Sequence, residues 1–252
     1  MPRLTPLAIV LFLFGCAAST TRADLAPAAG VNEILDALDA RGQNLTSFTA
    51  DVKLIESDAA TGDASTRSGK VTYQAGDPTR LRVRFDKKQV NNRITEDVIE
   101  YLLDGPDLID RTYSSKTQVT RHVLKPGEKM NLLKLGEGPF PLPIGQKKED
   151  VHAMFDVTKV DSSKEDPADT VHLKLTPKPN TRFANRFASI DVWVGTKDSM
   201  PHRIETMDRN QSTVRTTELG NVAINPKLSD ADFALPKVDP KEWQLIEEAY
   251  KE

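Results

Sequence analysis

The chain has 252 residues, with Lys+Arg 34 against Asp+Glu 37 and a formal net charge of -3. Arg3 and Arg22 are the only charged side chains in residues 1–23, so the remainder is more acidic still. That excludes a basic nucleic-acid binder, which needs clustered cations against phosphate. The single cysteine, Cys16, excludes disulfide scaffolds and cysteine-based zinc clusters.

Residues 1–23 read as a secretory signal peptide: Arg3 near the start, an apolar stretch from Leu7 to Phe14 too short to span a bilayer, then small polar residues ending at Thr21-Arg22-Ala23. Leu13-Phe14-Gly15-Cys16 also resembles a bacterial lipoprotein box, with Cys16 as the residue that would carry lipid, although Phe14 is larger than that pattern prefers. Plain cleavage is the favoured reading. Both place the mature chain outside the cytoplasm, in the periplasm or, through Cys16, tethered to the outer membrane.

Val31 to about Arg41 has helical spacing, with Ile34, Leu35 and Leu38 on one face and Gly42 as a stop. Strands are expected from Phe48 to Ile55, then, after a polar loop over Ser57–Ser68, at Gly69–Tyr73, Arg80–Phe85, Asp97–Asp104, Asp107–Ser114 and Gln118–Leu124. Residues 126–146 carry four prolines and cannot form a central strand. A short helix is expected over Lys147–Phe155, with Val151, Met154 and Phe155 on one side. Further strands are expected at Asp156–Val160, Thr170–Thr176, Ala188–Gly195, His202–Asp208 and Thr213–Val222. A terminal helix is expected after Asp239-Pro240.

Closely spaced strands of this kind predict a mainly β chain with helices: about ten antiparallel strands in one strongly curved, unclosed sheet, helices on the concave side, and a single domain over 24–252.

Catalytic chemistry is hard to find. His122, His152, His172 and His202 lie in separate segments without metal-site spacing, and no cofactor or metal is expected. There is no G-x-S-x-G elbow. Ser68-Gly69-Lys70-Val71 lacks the hydroxyl and following helix of a phosphate loop. Asp104, Asp107 and Asp110 flank Gly105-Pro106 as a hairpin turn would have them. The row Arg80, Arg82, Arg84 alternates with Leu81, Val83, Phe85. A solvated strand face is the ordinary fate of such a row. The alternative is that one arginine crosses to a covering segment and holds it by hydrogen bonds, for which a guanidinium's several donors suit it.

The order of pieces then becomes informative. The helix is followed by Phe48-Thr49-Ala50-Asp51, Gly69-Lys70-Val71-Thr72-Tyr73, Pro78 before Arg80-Leu81-Arg82-Val83, and Tyr101-Leu102-Leu103-Asp104-Gly105. The series resembles the periplasmic outer-membrane lipoprotein carrier family (LolA-like) over most of residues 31–225. Residues 136–146 and 161–168 depart from its usual pattern. The resemblance implies an unclosed β-barrel with a helical lid, no catalysis, and a monomer that takes acylated lipoproteins or lipids from an inner-membrane releasing complex to an outer-membrane acceptor. It also implies a latch at Arg82, bonded to lid backbone. Related folds serve in envelope-stress sensors and membrane-anchored lipid-binding lipoproteins, which are the alternative functions.

An inward row of Phe48, Val52, Leu54, Val83, Phe85, Tyr101, Leu103 and Trp193 is expected to line the cavity. Phe140, Leu142, Ile144, Met154 and Phe155 are expected to form its movable cover. The same residues would also suit a filled core, because buried strands look alike whether or not the interior is hollow.

Overall fold

The computed structural model describes residues 24–124 and 144–250. Helix α1 (Val31–Gln43) buries Ile34, Leu35 and Leu38. Glu33 supports its start by accepting the Gly30 amide at 2.7 Å. Beyond α1 the chain folds into hairpins: β1 (Ser47–Asp58), β2 (Ala64–Gln74), β3 (Arg80–Val90), β4 (Arg93–Asp104), β5 (Asp107–Thr112) and β6 (Thr117–His122). The second described stretch contains α2 (Lys148–Met154), then β7 (Phe155–Val160), β8 (Thr170–Pro177), β9 (Phe187–Gly195), β10 (Pro201–Asp208), β11 (Thr213–Ile224) and β12 (Gln244–Glu248).

These strands form one 12-stranded sheet in the order β12-β6-β5-β4-β3-β2-β1-β11-β10-β9-β8-β7. β12 and β7 are its two edges, so the sheet is curved but not closed into a barrel. All pairings are antiparallel except β12 with β6, and the two halves of the chain join where β1 pairs with β11. Alternation then sorts the side chains. On β3, Leu81, Val83 and Phe85 are buried on the concave side with α1, while Arg80, Arg82 and Arg84 stand on the convex side.

The expected loop over Ser57–Ser68 is mostly strand. β1 runs on to Asp58, whose carboxylate accepts the Ala60 and Thr61 amides at 2.8 Å each, and Gly62 completes the turn with φ 74. Those amide bonds hold the Asp58 carboxyl below its ordinary pKa. Serine and threonine make these strand ends look like a loop, yet their backbones pair in full register from Ser57↔Ala64 onward. Likewise β3 and β4 extend to a tight turn at Asn91 and Asn92, both with positive φ (47 and 64), as a two-residue hairpin requires.

The terminal helix does not form. Glu242 and Trp243 donate amides to the Asp239 carbonyl, which gives one turn only; Gln244 then donates to the Lys116 carbonyl and the chain continues as β12. The open edge of β6 supplies backbone partners that a short isolated helix would lack.

Gly69 is required by a close approach. The β2–β3 pairing slips between Ser68 and Gly69, and any Cβ at Gly69 would collide with the Arg84 carbonyl. Gly42 faces the same restriction against the Gly145 backbone, where residues 144–145 dock on the end of α1.

Candidate functional site

Six adjacent strands (β3, β2, β1, β11, β10 and β9) contribute to a cavity of about 190 Å³ on the concave face. Its floor is apolar: Phe48, Val52, Leu54, Val71, Leu81, Val83, Ile204 and Leu219. Most of these are buried, with Val83 at 1% and Phe48 at 2% exposure. Towards the rim formed by the end of β1 and the start of β11, the lining becomes polar through Thr206, Thr217, Arg186 and Arg215. Both arginines are exposed, so that end is the mouth. At the other end, Phe48 and Leu81 belong to one apolar cluster that also takes in Tyr73 and Ile34, Leu35 and Leu38 of α1. Tyr73 packs on Phe48 with ring centroids 5.4 Å apart, and burial pushes its hydroxyl up to about 12. A local slip in pairing between Met207 and Asp208 also matters: beyond it, Phe187 lines the cavity.

Of the eight residues expected to line a cavity, Phe48, Val52, Leu54 and Val83 do so. Phe85, Tyr101 and Leu103 share their concave face but belong to, or pack against, the filled core alongside the cavity. Burial raises the pKa of the Tyr101 hydroxyl, and Asp110 adds to the effect.

Trp193 is a correction. It stands on the convex face, because the concave row of β9 is Ile190, Val192 and Val194. There it stacks on His172 at 4.1 Å and donates its indole N–H to Asp166 at 2.8 Å, pinning the 161–169 loop to the sheet. A one-residue shift in phase reverses the face of every side chain on a strand.

Among the expected cover residues, Ile144 and Phe155 are fully buried and Met154 partly so. None of the three lines the cavity. They pack at the α1 end, where Phe155 meets Phe183 at 4.8 Å. Phe140, Leu142 and Cys16 lie outside the described residues.

Arg82 also requires correction as a latch on a concave cover. Its side chain lies on the convex face and binds the fully buried Glu100 carboxylate through Nε at 2.8 Å and a terminal nitrogen at 2.5 Å. Its remaining arm donates to the Asp232 carbonyl at 2.9 Å. The segment it holds is therefore the C-terminal one, after β11. Arg80 lies over Phe233, Arg111 donates to the Pro236 carbonyl, and Trp243 sits edge-on to Tyr113, so the same segment is fastened along its length.

Several cavity residues have no single-residue signature. Val71 and Leu81 fall on alternating rows visible in the sequence. Leu219 and Ile204 are brought to the β1 side only by the β1–β11 pairing, which closes over a long sequence separation, although β10 and β11 themselves form a local hairpin. Arg186 and Arg215 have no periodic signal. Among the described residues, no group of His, Cys, Asp and Glu could hold a metal ion, and no helix is long and apolar enough to cross a membrane.

No family model matches the sequence, and no curated protein matches it. Solved structures similar to this chain include an uncharacterized conserved protein from Thermus thermophilus, at 13% identity over 86% of this chain and 98% of that one, TM-score 0.48. Another is a putative outer membrane lipoprotein-sorting protein domain from Vibrio parahaemolyticus, at 15% identity over 82% and 97%, TM-score 0.38. A third is LprF from Mycobacterium bovis, at 13% identity over 82% and 97%, TM-score 0.35.

Proposed function

We propose that this chain is an exported carrier that shields acyl chains of lipoproteins or lipids from water, and that residues 1–23 direct its export ahead of a single domain over 24–252. The observation that carries the reading is the apolar trough between Phe48 and Leu54, which opens at the exposed Arg186 and Arg215. Away from that opening the apolar lining offers water no hydrogen-bond partners, which favours an apolar occupant.

Each buried CH₂ contributes about 0.8 kcal/mol, so a chain of about 16 carbons would gain roughly 12 kcal/mol gross. The 190 Å³ void accommodates only part of such a chain. Loading therefore displaces side chains or a cover, and that cost keeps net affinity low enough for release. Four predicted lining residues already face the trough, and residues such as Leu54 and Leu219, only partly buried, stand ready to repack.

The test is displacement of an environment-sensitive naphthylamine dye by hexadecanoate and by a synthetic diacylated lipopeptide. Both are expected to displace the dye from the unaltered protein, and Val52→Asp is expected to weaken both by more than tenfold, since it sets a carboxylate in the apolar floor. Dye that does not bind, or that Val52→Asp leaves in place, contradicts the reading.

A further inference from the structure

The mouth of the cavity differs chemically from its floor. We propose that it binds the anionic head of an amphiphile whose single acyl chain lies in the trough, with Arg186 and Arg215 as the cations that hold it. The inference rests on the carrier reading and adds the charge class of the ligand.

Arg186 is exposed, lines the mouth and makes no ion pair among the described residues. Its guanidinium lies over the ring of Phe187, 5.1 Å from the centroid, a contact that occupies none of its N–H donors in an ion pair. Arg215, the second cation, forks onto Glu56 at 3.2 and 3.3 Å. Both partners of that pair are about half exposed, at 53% and 48%. Such pairs contribute little and exchange readily, so Arg215 can turn to a stronger anion. Arg215 stands opposite Thr206 in the β10–β11 register; the Thr206 hydroxyl donates to the Arg215 carbonyl at 3.5 Å, and the Thr217 hydroxyl lines the same opening.

The wider surroundings reinforce the sign. The β8–β9 connection, Lys178-Pro-Asn-Thr-Arg-Phe-Ala-Asn-Arg186, carries Lys178, Arg182 and Arg186 and no acid. Lys178 is committed elsewhere, to the His152 carbonyl and to Asp156. The nearest acid on the adjoining turn, Asp208, has its carboxylate occupied by the Ser212 and Thr213 amides and the Ser212 hydroxyl.

Geometry links head and tail. The lining is apolar except towards Thr206, Thr217, Arg186 and Arg215, so a chain lying in the trough leaves its head among the arginines. A carboxylate or phosphate there pairs its charge with the guanidinium and can accept two N–H bonds at once, whereas an uncharged alcohol offers a single neutral acceptor.

The experiment compares dodecyl phosphate, dodecanol and inorganic phosphate as competitors for the dye. Dodecyl phosphate is expected to displace it at a concentration tenfold or more below that of dodecanol, while inorganic phosphate at millimolar concentration displaces none. The double variant Arg186→Gln/Arg215→Gln is expected to bring the phosphate-to-alcohol ratio near one, and Arg186→Lys to restore part of it. Equal affinities in the unaltered protein, or a ratio that survives the double variant, overturn the head-group site and leave the carrier reading standing. Inorganic phosphate competing as well as dodecyl phosphate overturns it in favour of a free-anion site. Displacement by neither dodecyl compound overturns the carrier reading as well.

Discussion

Glu100 is fully buried in a chain with little buried charge, and its surroundings account for it. Arg82 holds one oxygen, while the Tyr113 hydroxyl donates to the other at 2.8 Å and Arg84 approaches that same oxygen at 3.7 Å. A buried carboxylate this well surrounded is tolerable, yet removing one partner leaves the others uncompensated. Glu100→Ala is therefore expected to lower unfolding free energy by about 3–5 kcal/mol in urea titration, with Glu100→Gln costing less because it keeps the volume and some hydrogen bonds. A loss below about 1 kcal/mol for the alanine variant contradicts the assigned role. Alternation alone gave the face of Arg82 correctly, opposite Leu81 and Val83. What lay across from it was not legible, because the partner segment sits 150 residues downstream.

Hairpin elements were the most readable part of the sequence, because period-two alternation and Gly, Asn and Asp turns are local signals. The helices at 31–43 and 148–154 follow from equally local patterns. β12 did not, since it exists only by pairing with the edge of β6. Pairing between distant elements also governs the junction of α1 with the β9–β10 turn. There Arg41 donates to the Asp198 carbonyl at 2.6 Å, and the Asp198 carboxylate meets His202 at 2.9 Å.

The Asp198 hydrogen bond raises the His202 pKa above its ordinary value, against the opposing effect of burial. Burial would raise the Asp198 carboxyl, but His202, the Met200 amide and Arg41 together hold it low. The consequence for stability has a definite sign. The His202 contribution is complete below about pH 6.5 and fades as pH rises through the elevated folded value. That of Asp198 is present above its ordinary range and fades only in acid. Thermal unfolding followed from pH 6 to 9 is expected to show a decline that His202→Gln reduces; an identical decline in that variant contradicts it.

For the whole molecule, the decisive feature is one sheet curved enough to have an inside without closing. Closure would have fixed the interior volume by hydrogen bonds between the first and last strands, whereas here β12 and β7 remain separate edges. Half of the expected cavity row faces the trough, and the rest packs as ordinary core or, for Trp193, on the opposite face. The sequence could not separate these, since hollow and filled interiors use the same side chains.

The most direct test uses a fatty acid with a nitroxide near its methyl end, added to protein with labelled methyl groups. The account predicts selective broadening of Val52, Val71, Leu81 and Ile204, with Val171 and Leu173, on β8 towards the β7 edge of the sheet, little affected. Broadening confined to exposed Ile94 and Leu245, or absent altogether, would contradict it.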